Sequence, residues 1–514
     1  MTHPPPLLFS ITVRESRKSV ITLRLAGILL LTAAVPRAQD LHEFEKKVTE
    51  FTLPNGLHFI LVERHSAPVV SFRTYIHAGA VNDPSGETGI ARLVERSASN
   101  GTETIGTNAW ADEKKAMDDV EAAYDRLDAE RNKGLAADQN RVGVLRVQLR
   151  AAIDAASVLG DPAEFAHVLR VNGATDVSSH PGVDSTEYAC SLPSNRTELW
   201  FLMESQRLFH PVWRGFYRER DAALEDRRLN VESKALPKLE ETLLATAFAA
   251  HPYRNPVGGW PGDIDNLRRG AAQAFWDKYY APGNIVIAMV GDVNPADARQ
   301  MAERYFGSMP ARPLPPLVHA EEPPQSGPKT AVVGGASQPL VLIGYKRPDQ
   351  LHRDDIVLDV IQLILSNGRT GLLYRELTQD KGIAQAQVQS TYPGGRYPNL
   401  FLFLLAPQGS HTLEESQKAL EDLLARFESK PVDGETLARV KLQARAGVVR
   451  RLDSNADLAA LLPNYYASYG DWRKLFTALD DLAKITAEDV QRAAAKYFVA
   501  VNRTVVYMPQ KVLP

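Results

Sequence analysis

A long-range internal repeat restricts the fold of this chain more than any other feature. Lys278-Tyr279-Tyr280, with Asn284 six residues past the lysine, recurs as Lys496-Tyr497-Phe498 with Asn502, 218 residues on. Each copy closes an alanine-rich helical stretch and opens an apolar strand, at 285–290 and at 504–507. A helix-to-strand junction repeated at that distance implies two related domains. A second echo, Ser99-Asn100-Gly101 against Ser366-Asn367-Gly368, stands 267 residues apart, so the first half carries 49 residues that the second lacks. The surplus falls at 112–160, where Met117, Val120, Tyr124 and Leu127, then Leu145, Leu149 and Ile153, recur at helical spacing on either side of Asn132-Lys133-Gly134. That pattern predicts an antiparallel helical hairpin inserted into the first half. Between the halves, 310–328 holds seven prolines, too many for a helix or a central strand, and reads as a semi-rigid linker.

Within each half the periodicity is mixed. Strands are expected over 69–76, 340–345 and 400–405, and amphipathic helices over 356–365, 414–427 and 435–449, giving an α+β class with helices covering a sheet. Expected domain limits are 48–309 and 329–514. With 59 Lys and Arg against 62 Asp and Glu, the chain lacks the basic excess that a phosphate backbone rewards, which argues against a nucleic-acid partner. Its single cysteine, Cys190, excludes intramolecular disulfides and multi-cysteine metal sites, and reads as a small buried hydrophobe. Arg14, Arg17, Lys18 and Arg24 precede an apolar run at 25–35 that ends in Pro36-Arg37-Ala38. This order reads as a secretory signal over 1–38, too short to span a bilayer, so an exported chain in the periplasm or medium is expected. The alternative is an uncleaved anchor.

The segment that should carry chemistry runs from His77-Ala78-Gly79 through Gly86-Glu87-Thr88-Gly89 into Ile90-Ala91-Arg92-Leu93-Val94-Glu95-Arg96, with positions 92, 95 and 96 on one helical face. Together with Gly101 to Thr107, Pro193-Ser194-Asn195-Arg196, Glu219-Arg220-Asp221, His251-Pro252-Tyr253 and Tyr280-Ala281-Pro282-Gly283-Asn284, this stretch resembles the pitrilysin/insulinase or mitochondrial-processing-peptidase family of zinc peptidases, M16. The resemblance runs from about residue 48 to 510. It implies two duplicated LuxS/MPP-like metallohydrolase domains, and the helical insertion resembles one in exported bacterial members.

Active members hold zinc with H-x-x-E-H on one helix and a Glu from a later helix, the motif Glu acting as general base. Here the motif reads Arg92-x-x-Glu95-Arg96, and the third ligand maps to Asp226, with Glu219 and Glu225 as supporting carboxylates. Guanidinium is a five-fold donor without a lone pair, so it cannot ligate a metal. The resemblance therefore implies a retained but idle Glu95, no bound cofactor where active relatives carry zinc, and an Arg–carboxylate cluster linking the two helices in the metal's place. The substrate-gripping Arg and Tyr of the second half map to Thr378 and Gln385, so that pair is missing too; nearby Arg369 and Tyr374 read as helix anchors. Peptide binding by strand addition maps to 173–181, where Pro181 removes a ladder donor. The expected function is a pseudopeptidase subunit of a periplasmic clamp-like assembly, partnered by a second M16 subunit or a second copy of itself and open to peptides. Two alternatives stand beside it: an active metalloendopeptidase, supported only by Glu95, and a scaffold or binding protein without a peptidase partner.

Overall fold

The repeated Lys-Tyr-aromatic segment does the same backbone work in both copies. In the computed structural model, which describes residues 44–510, the helices Arg269–Tyr279 and Ala487–Tyr497 each pass through a short 3₁₀ turn into a strand, β6 (Ile285–Gly291) and β11 (Arg503–Met508). The Asn284 amide donates to the carbonyl of Tyr279 at 2.9 Å, and that of Asn502 to the carbonyl of Tyr497 at 3.4 Å. Each asparagine thus satisfies a carbonyl orphaned at its helix end, which is why the spacing recurs. The signal segment expected at 1–38 lies outside the described residues.

Two sheets share one topology. The first is ordered β1 (Val48–Thr52), β2 (His58–Glu63), β6, β3 (Val69–Ile76), β5 (Thr186–Pro193), β4 (Thr175–Pro181). The second is ordered β7 (Lys329–Val332), β11, β8 (Leu340–Arg347), β10 (Asn399–Pro407), β9 (Ala384–Tyr392). β2 pairs with β6 and β7 with β11 in parallel, while β3 and β8 run antiparallel to both neighbours. The second sheet therefore repeats the first without β1, and β4 and β9 are the equivalent edges. The class is α+β with duplicated halves.

The surplus of the first half is a hairpin of the helices Trp110–Arg131 and Gln139–Ser157, closed by Val120, Tyr124 and Leu127 against Val142, Leu145, Leu149 and Ile153. Its base is pinned by the buried pair Arg214–Glu113, with Nη2 to Oε2 at 2.9 Å. Residues 310–328 form no helix or strand but are docked, since the Glu322 carboxylate accepts the amides of Ala249, Ala250 and His251 at 2.6, 2.9 and 3.1 Å. Cys190 is buried, which pushes its thiol up to about 12.

Each half covers the other's sheet. β6 is buried along its whole length; Ile285, Ile287 and Met289 face the helices of their own half, and Val286, Ala288 and Val290 face the opposite way, where helix Asn455–Tyr469 of the second half lies against β3 and β6. In return, helix Ala235–Ala247 of the first half lies on β7, β8 and β11. There Leu239, Leu243 and Leu244 pack with Leu342, Leu400, Leu402 and Val506, while Phe401, Phe403 and Leu405 face the second half's own helices. The turns β4–β5 and β9–β10 also meet: Asp184 accepts from the Tyr253 hydroxyl at 2.7 Å and from the amides of Gly395 and Arg396 at 2.9 and 3.1 Å. Leu243→Ala would leave a void above Gly344, over which the leucine sits, and is expected to cost about 2–5 kcal/mol in denaturant unfolding while keeping a single transition for both halves.

Candidate functional site

The helix Ile90–Ser97 starts where Gly89 takes φ 93°, a left-handed conformation that an L side chain strains to adopt. Three contacts fix that start. Asp83 accepts the amides of Gly89 and Ala91 at 2.7 and 3.0 Å, the Thr88 hydroxyl donates to Asp263 at 2.6 Å, and the amide of Trp260 donates to Thr88 Oγ1 at 2.8 Å. Ile90, Leu93 and Val94 are buried in the core, leaving Arg92 and Arg96 on the face toward helix Phe216–Arg227. On that helix Glu219 and Asp226 stand two turns apart and share a face.

Arg96 joins the two carboxylates. Its Nε donates to Glu219 Oε2 at 2.8 Å and its Nη1 to Asp226 Oδ2 at 2.8 Å. Asn100 supports Glu219 at 3.4 Å. Arg92 stands farther off, with Nη2 3.8 Å from Asp226 Oδ2, beyond hydrogen-bond range. Burial lowers the affinity of Arg92 for its proton, and the neighbouring Arg96 adds to that effect. Glu95 lies behind this layer, only 3% exposed. Its carboxyl is raised by burial and hydrogen-bonded to the side chain of Ser179 on the edge strand β4.

Not every residue expected here joins the cluster. Glu225 faces outward and forks Arg228 at 2.8 and 2.6 Å, because one step along a helix turns the side chain about 100° away from Asp226. Its supporting role is corrected accordingly. Thr378 spends its hydroxyl on the carbonyl of Ala384 at 2.9 Å, and Gln385 is exposed on the edge strand β9. Neither bonds to the arginine cluster. Tyr374 and Arg369 lie in irregular helical turns, Arg369 in a 3₁₀ turn. β4 is the free edge of its sheet and pairs with β5 as far as Pro181 opposite Thr186. Two partners escape the sequence reading. Ser179 meets Glu95, and Arg227 forks Glu241 (2.5 and 2.7 Å) under Trp260. A carboxylate fourteen residues past an arginine carries no periodic signal.

The donor set does not fit a zinc ion. Zinc takes lone pairs from imidazole, thiolate or carboxylate. Two of the three ligand positions are guanidinium, and the carboxylates on helix Phe216–Arg227 are already bonded to Arg96. Among the described residues no group of three His, Cys, Asp or Glu is arranged to hold a metal. The cluster can bind and orient an acceptor.

The profile of the family described as "Peptidase M16 inactive domain" matches residues 266–444. The zinc protease PqqE of Helicobacter pylori is 28% identical over 300 residues, 57% of this chain and 66% of that protein. Residues 266–444 thus match the M16 peptidase family, and the chain is similar to a zinc protease of that kind. The mitochondrial-processing peptidase subunit beta of Lentinula edodes is 23% identical over 312 residues, so the matched stretch spans less than two thirds of these M16 relatives' own length. Among solved folds, a protease from Helicobacter pylori superposes with a TM-score of 0.75 at 22% identity, covering 90% of this chain and 99% of that one. The periplasmic protease PqqL from Escherichia coli gives 0.67 at 14% identity, and there the match takes 91% of this chain but 49% of that one. No helix of the described residues is long and apolar enough to cross a membrane.

Two measurements check the geometry. In a double-mutant cycle of Arg96→Ala and Asp226→Ala, a coupling energy of about 1–2 kcal/mol in unfolding is expected for a partly exposed, hydrogen-bonded ion pair. Asp83, fully buried, has its carboxyl pushed up to about 8 by burial despite its two amide donors. A carboxyl raised above its unfolded value gives stability that is full below about 4 and declines as pH rises toward 8. Asp83→Asn is expected to flatten that decline in pH-dependent thermal unfolding.

Proposed function

We propose that this chain is a non-catalytic M16 subunit of a periplasmic, clamp-like peptidase assembly. The observation that carries the reading is the Arg96 fork across Glu219 and Asp226, which ties the two helices together where active M16 peptidases bind metal. Two guanidinium groups bring about the same positive charge as a divalent ion, but as donors, so Glu95 has no metal-bound water to deprotonate. The match to PqqL supports the clamp: 91% of this chain superposes on about half of that periplasmic protease, and in the proposed assembly a second M16 subunit or a second copy of this chain faces it. One observation favours a second reading, a scaffold without a peptidase partner, because Thr378 and Gln385 replace the substrate-gripping pair that the resemblance leads one to expect in a helper subunit. Co-purification of a subunit with an intact H-x-x-E-H helix separates the two.

Elemental analysis of the purified chain is expected to give a zinc content near zero. The triple variant Arg92→His/Arg96→His/Asp226→Glu, which rebuilds the donor set, is expected to take up about one zinc per chain. About one zinc in the native chain overturns the reading.

A further inference from the structure

Beside the arginine cluster lies a cavity of about 310 Å³, walled by both halves: Arg92, Asp226, Asn230 and Asn255 come from the first and Tyr392 and Pro393 from the second. Its polar groups are lopsided. Every carboxylate in the wall already holds a donor: Asp226 holds Arg96 at 2.8 Å, Glu241 is forked by Arg227, and Glu240 is bonded by the Tyr392 hydroxyl. Burial also raises the Glu240 carboxyl, which favours its uncharged form.

The donors are the reverse case. Arg92 makes no hydrogen bond among the described residues; its nearest carboxylate oxygen is the 3.8 Å contact to Asp226, and Nη1 lies beside the backbone of Gly258. Asn255 accepts the Trp260 indole at 3.1 Å and Asn230 accepts the Lys234 ammonium at 2.8 Å, both on Oδ1. Those donors fix the amide orientation, so each asparagine keeps an unpaired NH₂ at the cavity. The remaining wall is apolar, with Val183, Val231, Leu244 and Pro256.

A recess whose acceptors are capped and whose donors are open complements an anion, and an open guanidinium edge matches a planar carboxylate bidentately. We infer that this cavity binds a carboxylate carried on a small apolar body, the chemistry of the last residue of an apolar-ended peptide or of a short branched carboxylic acid. The ligand docks its two oxygens on Arg92, takes further bonds from Asn255 and Asn230, and lays its apolar body against Leu244 and Val183. The inference rests on the metal-free reading of the site and deepens it, since the residue that displaced a zinc ligand becomes the anchor.

Calorimetric titration of the full chain with acetyl-Ala-Ala-Leu, its C-terminal amide and 4-methylpentanoate tests this, with zinc measured in the same samples. The free-acid peptide or the carboxylic acid is expected to bind, the amide about tenfold or more weaker. Arg92→Met is expected to lose the acid preference, and Arg92→Lys to keep part of it, since an ammonium keeps the charge without the fork. Val257→Trp, which fills the recess and leaves every charge in place, is expected to abolish binding, with circular dichroism confirming that each variant is folded. Tighter binding of the peptide than of 4-methylpentanoate identifies a peptide terminus, and the reverse a free carboxylic acid. Equal binding of acid and amide, no binding of either acid, or an unchanged Arg92→Met overturns the inference. Such a failure in zinc-free protein leaves the pseudopeptidase reading standing, whereas zinc in the native chain removes both.

Discussion

Each half of the chain buries its sheet on both faces only because the other half lends it a helix. Helix Asn455–Tyr469 lies on β3 and β6, and helix Ala235–Ala247 on β7, β8 and β11. Without that exchange, Val286, Ala288 and Val290 of one sheet and Leu342, Leu400 and Val506 of the other would face water, at roughly 1.5–3 kcal/mol for each large side chain. The exchange explains why β6 and β10 read as unbroken apolar runs instead of alternating ones. It also fixes how the halves approach each other. The meeting of the equivalent turns at Asp184, and the docking of the proline-rich stretch through Glu322, follow from a relation set in the core.

That frame accounts for how the site helices keep their place with arginine at positions 92 and 96. A structural zinc can supply on the order of 10 kcal/mol or more to a small domain. The Arg96 fork, about a third exposed, supplies a small fraction of that. The site helix nonetheless starts at Gly89 under the control of Asp83, Thr88 and Trp260, and buries Ile90, Leu93 and Val94 in the main core. None of these contacts involves Arg92, Arg96 or Asp226. The start of the site helix therefore does not depend on those three side chains. Arg96 pairs with both carboxylates through two hydrogen bonds, and Arg92, 3.8 Å from Asp226, adds the second positive charge without a hydrogen bond.

Much of this was legible in the sequence, and the boundary of legibility has physical reasons. The Lys-Tyr-aromatic repeat was readable because Asn284 and Asn502 satisfy carbonyls five residues back, a local duty that ties residue type to spacing. The hairpin was readable because its own two helices bury one another. The helix exchange was not, since the periodicity of 455–469 shows an apolar face but not which sheet receives it. At the site, Arg92, Glu95, Arg96 and Asp226 could be placed by motif and helical spacing, with Glu219 following from its seven-residue separation from Asp226. Glu225 fails by the same helical geometry, one residue out of phase. Ser179 needed the strand's facing, which the irregular pairing between Thr175 and Ser178 shifts, and Asp176 at φ 55° marks that shift. The fork of Arg227 on Glu241 joins two helices through a long side chain, and nothing in the residue pattern encodes it.

The contact between the halves and the arginine cluster converge on one place. The recess beside Arg92 has its floor on helix Phe216–Arg227, one wall on helix Ala235–Ala247 and its closing edge on Tyr392 and Pro393 at the end of β9. Helix Ala235–Ala247 is also the one that the first half lends to the second sheet, so Leu244 serves both the shared core and the cavity wall. Glu240, on the same helix, bonds to Tyr392 from the other half. A ligand there touches Arg92 of the altered motif and the contact between halves at once. Occupancy then stabilises the arrangement of the halves that forms the recess, by mass action. In this chain the ion pair joins the helices, and the recess that it leaves open reaches across to the other half.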